Sequence, residues 1–230
     1  MSPGPSPITQ AGGVRPLRTA SRPAGALVAV AVAVALALAT ATGCVPVGTS
    51  NDADAPTQTG EQLGQLTVAT AGSMRGYSRT RFAHWQSAGE NCDVRDTVLK
   101  RDGEKVRLNG CNVVGGQWFS KYDGKTFTDP ALIDVDHMVP LANAWRTGAA
   151  TWTDARRAEF ANDLERPQLI AVSASSNRAK GDQDPAQWKP PRREVWCRYA
   201  QDWVAVKHHW QLSVTTAEKA ALTEMLETCP

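Results

Sequence analysis

Negative charge is missing from the start of this chain: no Asp or Glu occurs before Asp52. Long apolar runs are missing too, with one exception. Residues 24–39 are built almost only from Ala, Val and Leu, and Arg15, Arg18 and Arg22 precede them. A basic stretch, an apolar stretch and then small residues is the layout of an export signal. At 16 residues the run is shorter than the roughly 20 that span a bilayer, which makes a permanent anchor the second-best reading. Residues 1–44 are therefore expected to be a signal peptide and 45–64 a polar, turn-rich flexible linker. Residues 65–230 remain for one folded domain, long enough for a real core.

Histidine is scarce and scattered, with only His84, His137, His208 and His209. A zinc cage of His and Cys is not expected from such a set. There is no Gly-x-Ser-x-Gly elbow and no Gly-rich phosphate loop, which removes two common catalytic layouts. Bulk positive charge is lacking as well. Of 25 basic and 23 acidic residues, three arginines and no acid lie in residues 1–44, so the remainder carries 22 against 23 and a net charge of −1. A nucleic-acid partner would have to be held by a local patch.

Cysteine is sparse but informative. An exported chain meets an oxidising compartment, so Cys92, Cys111, Cys197 and Cys229 suit two disulfides. Pairing neighbours along the chain, Cys92 with Cys111 and Cys197 with Cys229, would tie each helix to a nearby element. The odd one, Cys44, ends Ala41-Thr42-Gly43-Cys44 directly after the apolar run. This resembles a lipobox, with Ala41 where Leu is usual, and implies lipidation at Cys44; ordinary cleavage and secretion is the alternative.

Periodicity predicts a short helix over 93–101 and strands over 106–118 broken at Gly110 and at Gly115-Gly116. It predicts a strand over 131–137, helices over 141–146 and 153–164, and a strand over 168–172. A short helix over 173–180 should end at Gly181. The spacing of Trp196, Tyr199, Trp203 and Trp210 is helical, and these aromatics are expected in the core rather than as a base-stacking platform. Thr215-Thr216-Ala217-Glu218 reads as a capping box for a last helix. Residues 65–90 are ambiguous, with Phe82 and Trp85 as core candidates.

The distinctive stretch is Asp134-Val135-Asp136-His137-Met138-Val139-Pro140. It is followed about 30 residues later by Gln168-Leu169-Ile170-Ala171-Val172, then Asn177-Arg178-Ala179-Lys180-Gly181-Asp182. This combination resembles the HNH, or ββα-metal, endonucleases. The branch it is most similar to is related to the C-terminal domain of modification-dependent restriction enzymes, found also in exported actinobacterial proteins. The resemblance implies an α+β fold, a ββα-metal HNH core elaborated by additional helices and two disulfides. It implies His137 as general base, with Asp136 and Asn177 holding a divalent metal, Mg²⁺ first, Mn²⁺ or Ca²⁺ as alternatives. Gln168 stands where the family's middle Asn is expected, and Asn162 is the other candidate for that role. Ser173 and Ser176 replace cysteines that carry a structural zinc in many members, so no structural zinc is expected.

Chemistry independently supports these roles. A neutral imidazole can take a proton from water at physiological pH. Carboxylate and amide oxygens suit a hard cation. Between Ser176 and Trp210, seven basic residues face four acids, and Arg178, Lys180, Lys189 and Arg192 are the candidate phosphate contacts. The leading reading is an exported metal-dependent endonuclease acting on DNA, with RNA left open, without small-molecule cofactor. The alternative is a non-catalytic, surface-anchored DNA-binding lipoprotein with a degenerate nuclease fold.

Overall fold

The computed structural model describes residues 55–89 and 92–230. The apolar run, Cys44 and its expected lipid lie outside them. No helix among the described residues is long and apolar enough to cross a membrane. Helix α1, Ala55–Gln65, occupies much of the stretch expected to be linker. It is ordered there because it has something to bury: Leu63, with Leu66 just beyond the helix, enters the main core.

Short strands β1, Ser87–Gly89, and β2, Cys92–Asp93, lead into α2, Val94–Asp102. Asp93 and Asp96 form a reciprocal capping box at the start of α2, which satisfies backbone N–H groups the helix itself cannot. Strands β3, Glu104–Asn109, β4, Asn112–Ser120, and β5, Lys125–Phe127, form an antiparallel sheet in that order. The chain turns between β3 and β4 at Gly110, whose φ of +60° favours glycine. The expected break at Gly115-Gly116 does not occur and β4 runs through it. Glycine is needed there for packing: a Cβ on Gly116 would sit 2.7 Å from the Trp118 ring.

Strand β6, Ile133–His137, is followed by α3, Leu141–Arg146, and α4, Asp154–Ala161. Strand β7, Leu169–Ser173, then pairs antiparallel with β6 in unbroken register from Ile133↔Ser173 to His137↔Leu169. Helix α5, Ala174–Lys180, follows directly and ends at Gly181, where φ is +52°. Helices α6, Trp196–Trp210, and α7, Thr216–Leu226, complete the chain. The two disulfides are Cys92–Cys111 and Cys197–Cys229, as neighbour pairing predicts.

Two cores result. The smaller gathers Val98, Leu99 and Trp118 with Ile133 and Val135 of β6 and Leu169 and Ala171 of β7. The larger gathers Phe82, Trp145 and Phe160 with Tyr199, Trp203 and Trp210, so the aromatic face of α6 is core. Because side chains alternate along a strand, Ile133 and Val135 face the small core while Asp134 and Asp136 face the other way, toward α5. That alternation puts two carboxylates over the short helix.

Candidate active site

His137 is the last residue of β6, so the strand delivers it to an edge where regular pairing stops. Its ring is almost wholly buried, at 4% exposure, yet it lines a pocket of about 130 Å³ together with Asp136, Asn177, Asp182 and Arg79. Nε2 lies 2.9 Å from the Ala161 carbonyl oxygen at the end of α4. A carbonyl can only accept, so Nε2 carries the hydrogen and Nδ1 of the neutral ring keeps a lone pair. Burial lowers the His137 pKa from 6.5 to about 3, opposed by the Ala161 bond and aided by the charges of Arg79, His84 and Lys180. The ring is therefore a neutral base at physiological pH. Trp85 stacks on it at 5.5 Å between centroids, and His84 lies 6.2 Å away.

Asp136 is also buried. Its carboxylate accepts from Lys180 Nζ at 2.8 and 2.9 Å and from the Tyr122 hydroxyl at 2.7 Å. Burial pushes the Asp136 pKa up, and Lys180 and Tyr122 pull it back. Lys180 also donates to the His137 carbonyl at 2.7 Å, so one ammonium fixes both the carboxylate and the strand end. This corrects the expectation that Lys180 meets phosphate: its side chain is fully buried and its hydrogens are spent inside the protein. Asn177 donates Nδ2 to Asp134 Oδ2 at 3.0 Å, which leaves its amide Oδ1 as an acceptor.

Gln168 and Asn162, the two candidates for the middle position, lie in different places. Gln168 precedes β7, is fully buried, and clamps Val139 from both sides: Oε1 accepts from Val139 N at 3.1 Å and Nε2 donates to Val139 O at 3.0 Å. It thus holds the loop that leaves His137. Asn162 caps α4 and staples the segment before β1 instead, accepting from Gln86 N at 3.0 Å and donating to Ala83 O at 2.7 Å. It acts on the turn that carries Trp85, whose φ of 58° is strained for a bulky residue.

The expected basic patch does not assemble at the pocket; none of its four residues lines it. Lys189 pairs with Glu224 at 2.6 Å, and Arg192 packs over Phe119 at 5.5 Å and pairs with Glu194 at 3.7 Å. Arg178 is exposed. No motif in the sequence marks Arg79 or Tyr122; only tertiary contact brings Arg79 to the pocket and Tyr122 to Asp136. A larger concavity of about 550 Å³ beside β7 contains neither His137 nor Asn177, and its arginines Arg101, Arg166 and Arg198 are each tied to a carboxylate.

The donors around the pocket suit a hard divalent cation. Asp136 accepts three hydrogen bonds of the roughly four a carboxylate can take, so its remaining lone pair and the Asn177 oxygen could serve as ligands to such a cation. No group of three or more His, Cys, Asp or Glu placed to hold a metal exists among the described residues.

No solved structure matches the chain. An uncharacterized secreted protein of the fungus Arthroderma benhamiae is 50% identical over 185 residues, covering 80% of this chain and 91% of that protein. Residues 95–225 match the profile of the C-terminal domain of GmrSD restriction endonucleases. That stretch spans more than half of the chain and contains β6, β7, α5 and every pocket residue except Arg79. The chain belongs to the family of the C-terminal domain of GmrSD restriction endonucleases.

Proposed function

We propose that the protein is an exported, divalent-metal-dependent endonuclease of the HNH type that hydrolyses DNA with little sequence specificity, RNA being a second substrate to test. In this reading β6, β7 and α5 are the ββα unit. The observation that carries it is the geometry of the His137 imidazole: it is hydrogen-bonded through Nε2 to Ala161, which leaves the Nδ1 lone pair free, and the ring shares a pocket with Asp136 and Asn177. That is the arrangement a general base needs.

His137 Nδ1 takes the proton of the attacking water while the water oxygen bonds to phosphorus. The bond from phosphorus to the 3′ oxygen breaks on the opposite side, and the leaving oxygen takes its proton from solvent. Asp136 and Asn177 would hold a divalent cation, whose Lewis acidity would offset charge on the phosphate and the leaving oxygen. Lys180 and Tyr122 hold the Asp136 carboxylate in place, and Gln168 holds the loop after His137. The protein acts outside the cell: the signal-like leader and the secreted fungal relative support export. Cys44 is its lipid attachment point, which detergent phase partitioning of a Cys44→Ala variant tests.

Plasmid nicking with Mg²⁺, with and without EDTA, tests the activity. His137→Ala should cut the rate per folded molecule by about 10²- to 10⁴-fold, the usual worth of a general base. A wild-type protein that binds plasmid without nicking it would leave the non-catalytic DNA-binding lipoprotein as the reading.

A further inference from the structure

Arg79 is the one cationic side chain that lines the His137 pocket among the described residues. It lies 16 positions before the family-matched region begins at residue 95. Its neighbour Arg81 shows what a structural arginine looks like here: it lies 5.2 Å over the Trp145 ring and 3.7 Å from Asp154. The Arg79 side chain has no such employment: its carbonyl accepts from Phe82 N at 3.1 Å, but its guanidinium makes no hydrogen bond, ion pair or ring contact to the described residues. It is exposed, and its charge reaches both His137 and the Tyr77 hydroxyl.

The turn that carries Arg79 is anchored on both sides. Ser78 caps it, accepting from Thr80 N at 3.3 Å, and Arg81 N bonds back to Ser78 O at 3.0 Å. Phe82, next in the chain, is fully buried against Tyr77, Trp145 and Phe160. Beyond it Asn162 staples Ala83 and Gln86. The backbone beneath the guanidinium is thus fixed while the guanidinium itself is uncommitted. The other charges around the pocket do not offer this. Lys180 is consumed by Asp136, and Asp182 and Asp134 repel an anion. Among the described residues, a phosphodiester entering the pocket meets one free cation, and a guanidinium fork matches phosphate oxygens in geometry as well as charge.

We propose that Arg79 contacts the substrate: its guanidinium binds a non-bridging oxygen of the scissile phosphodiester and offsets the charge that grows there as water attacks. The segment from Tyr77 to Gln86 is then part of the active site although it lies outside the family-matched domain. The proposal rests on the nuclease reading.

The test compares the mature wild-type chain with Arg79→Ala, Arg79→Lys and Arg75→Ala, an exposed arginine outside the pocket, on supercoiled plasmid and single-stranded RNA with Mg²⁺. Arg79→Ala should lose about 10²- to 10³-fold in kcat/KM, the usual cost of removing one donor to transition-state charge. Its thermal unfolding should not move. Arg79→Lys should recover part of the loss, and Arg75→Ala should cleave like wild type. Free guanidinium in the assay should raise the rate of Arg79→Ala but not of His137→Ala, which a merely structural role would not produce. If wild type cleaves and Arg79→Ala cleaves equally, or if neither lysine nor guanidinium restores a lost rate, Arg79 is not a phosphate contact and the nuclease reading stands. If wild type cleaves neither substrate, the nuclease reading fails and this proposal with it.

Discussion

Lys180 and Lys207 each place an ammonium 5.8 Å from the centroid of the Trp203 ring, and each is fully buried against a carboxylate. The Lys207 partner is Glu218, at 2.7 Å; the Lys180 partner is Asp136, at 2.8 Å. Burial pushes both lysine pKa values down and the carboxylates pull them back. Their surroundings differ. Glu218 also accepts from Trp203 Nε1 at 2.7 Å and helps cap α7, and Lys207 donates to Ser213 O at 2.8 Å, so that network closes on itself. Asp136 instead borders a pocket shared with a base that has a free lone pair. Buried, paired charge is common to both networks; an opening and an uncommitted acceptor beside it set the Asp136 network apart.

The sharpest way to break this comparison is to remove each ammonium. Lys180→Met should cost about 3–5 kcal/mol, because Asp136 is left buried and unpaired, and nuclease activity should disappear with it. Lys207→Met should cost a similar 3–5 kcal/mol by leaving Glu218 unpaired, while cleavage per folded molecule stays at the wild-type level. Urea unfolding and single-turnover cleavage on the same samples decide it; equal losses of activity in both variants would erase the distinction.

Removing the disulfide beside the closed network is a smaller perturbation. Cys197 and Cys229 are 32 positions apart and join α6 to the end of α7. Replacing both by Ser should cost about 3–4 kcal/mol through the unfolded chain and leave cleavage by the folded protein intact. Denaturant midpoints with and without reductant measure this.

The smallest effect concerns pH. Native His137 stays neutral down to about 3, whereas the unfolded chain protonates near 6.5. The unfolded state then binds more protons in that window, so stability falls as pH drops below about 6.5, by about 2 kcal/mol at pH 5. Unfolding free energies of wild type and His137→Gln between pH 7 and pH 5 should diverge by that amount. Parallel curves would mean that the imidazole is not held neutral.

Much of the fold was legible. The capping box at Thr215, the stop at Gly181 and the helical spacing of Trp196 to Trp210 are local signals, and local backbone rules enforce them. The helix over 55–65 was not legible, because polar residues there fold only by docking Leu63 onto a core built from distant segments. Of the candidate site, the family resemblance pointed to Asp136-His137 and Asn177, and a strand end and the helix after its partner strand bring them to one pocket. The fate of Lys180 could not be read: a lysine in a polar run looks solvated until the fold closes over it.

The sequence by itself determined the stop at Gly181, the capping box at Thr215 and the alternation of side chains along β6, because backbone rules and strand geometry depend on nothing remote. Tertiary structure alone decided which nitrogen of His137 carries its hydrogen, which of Gln168 and Asn162 clamps the loop, and that Arg79 stands at the pocket. Each of these depends on a partner at least 24 residues away along the chain, as Ala161 is from His137, and no local rule encodes such a meeting.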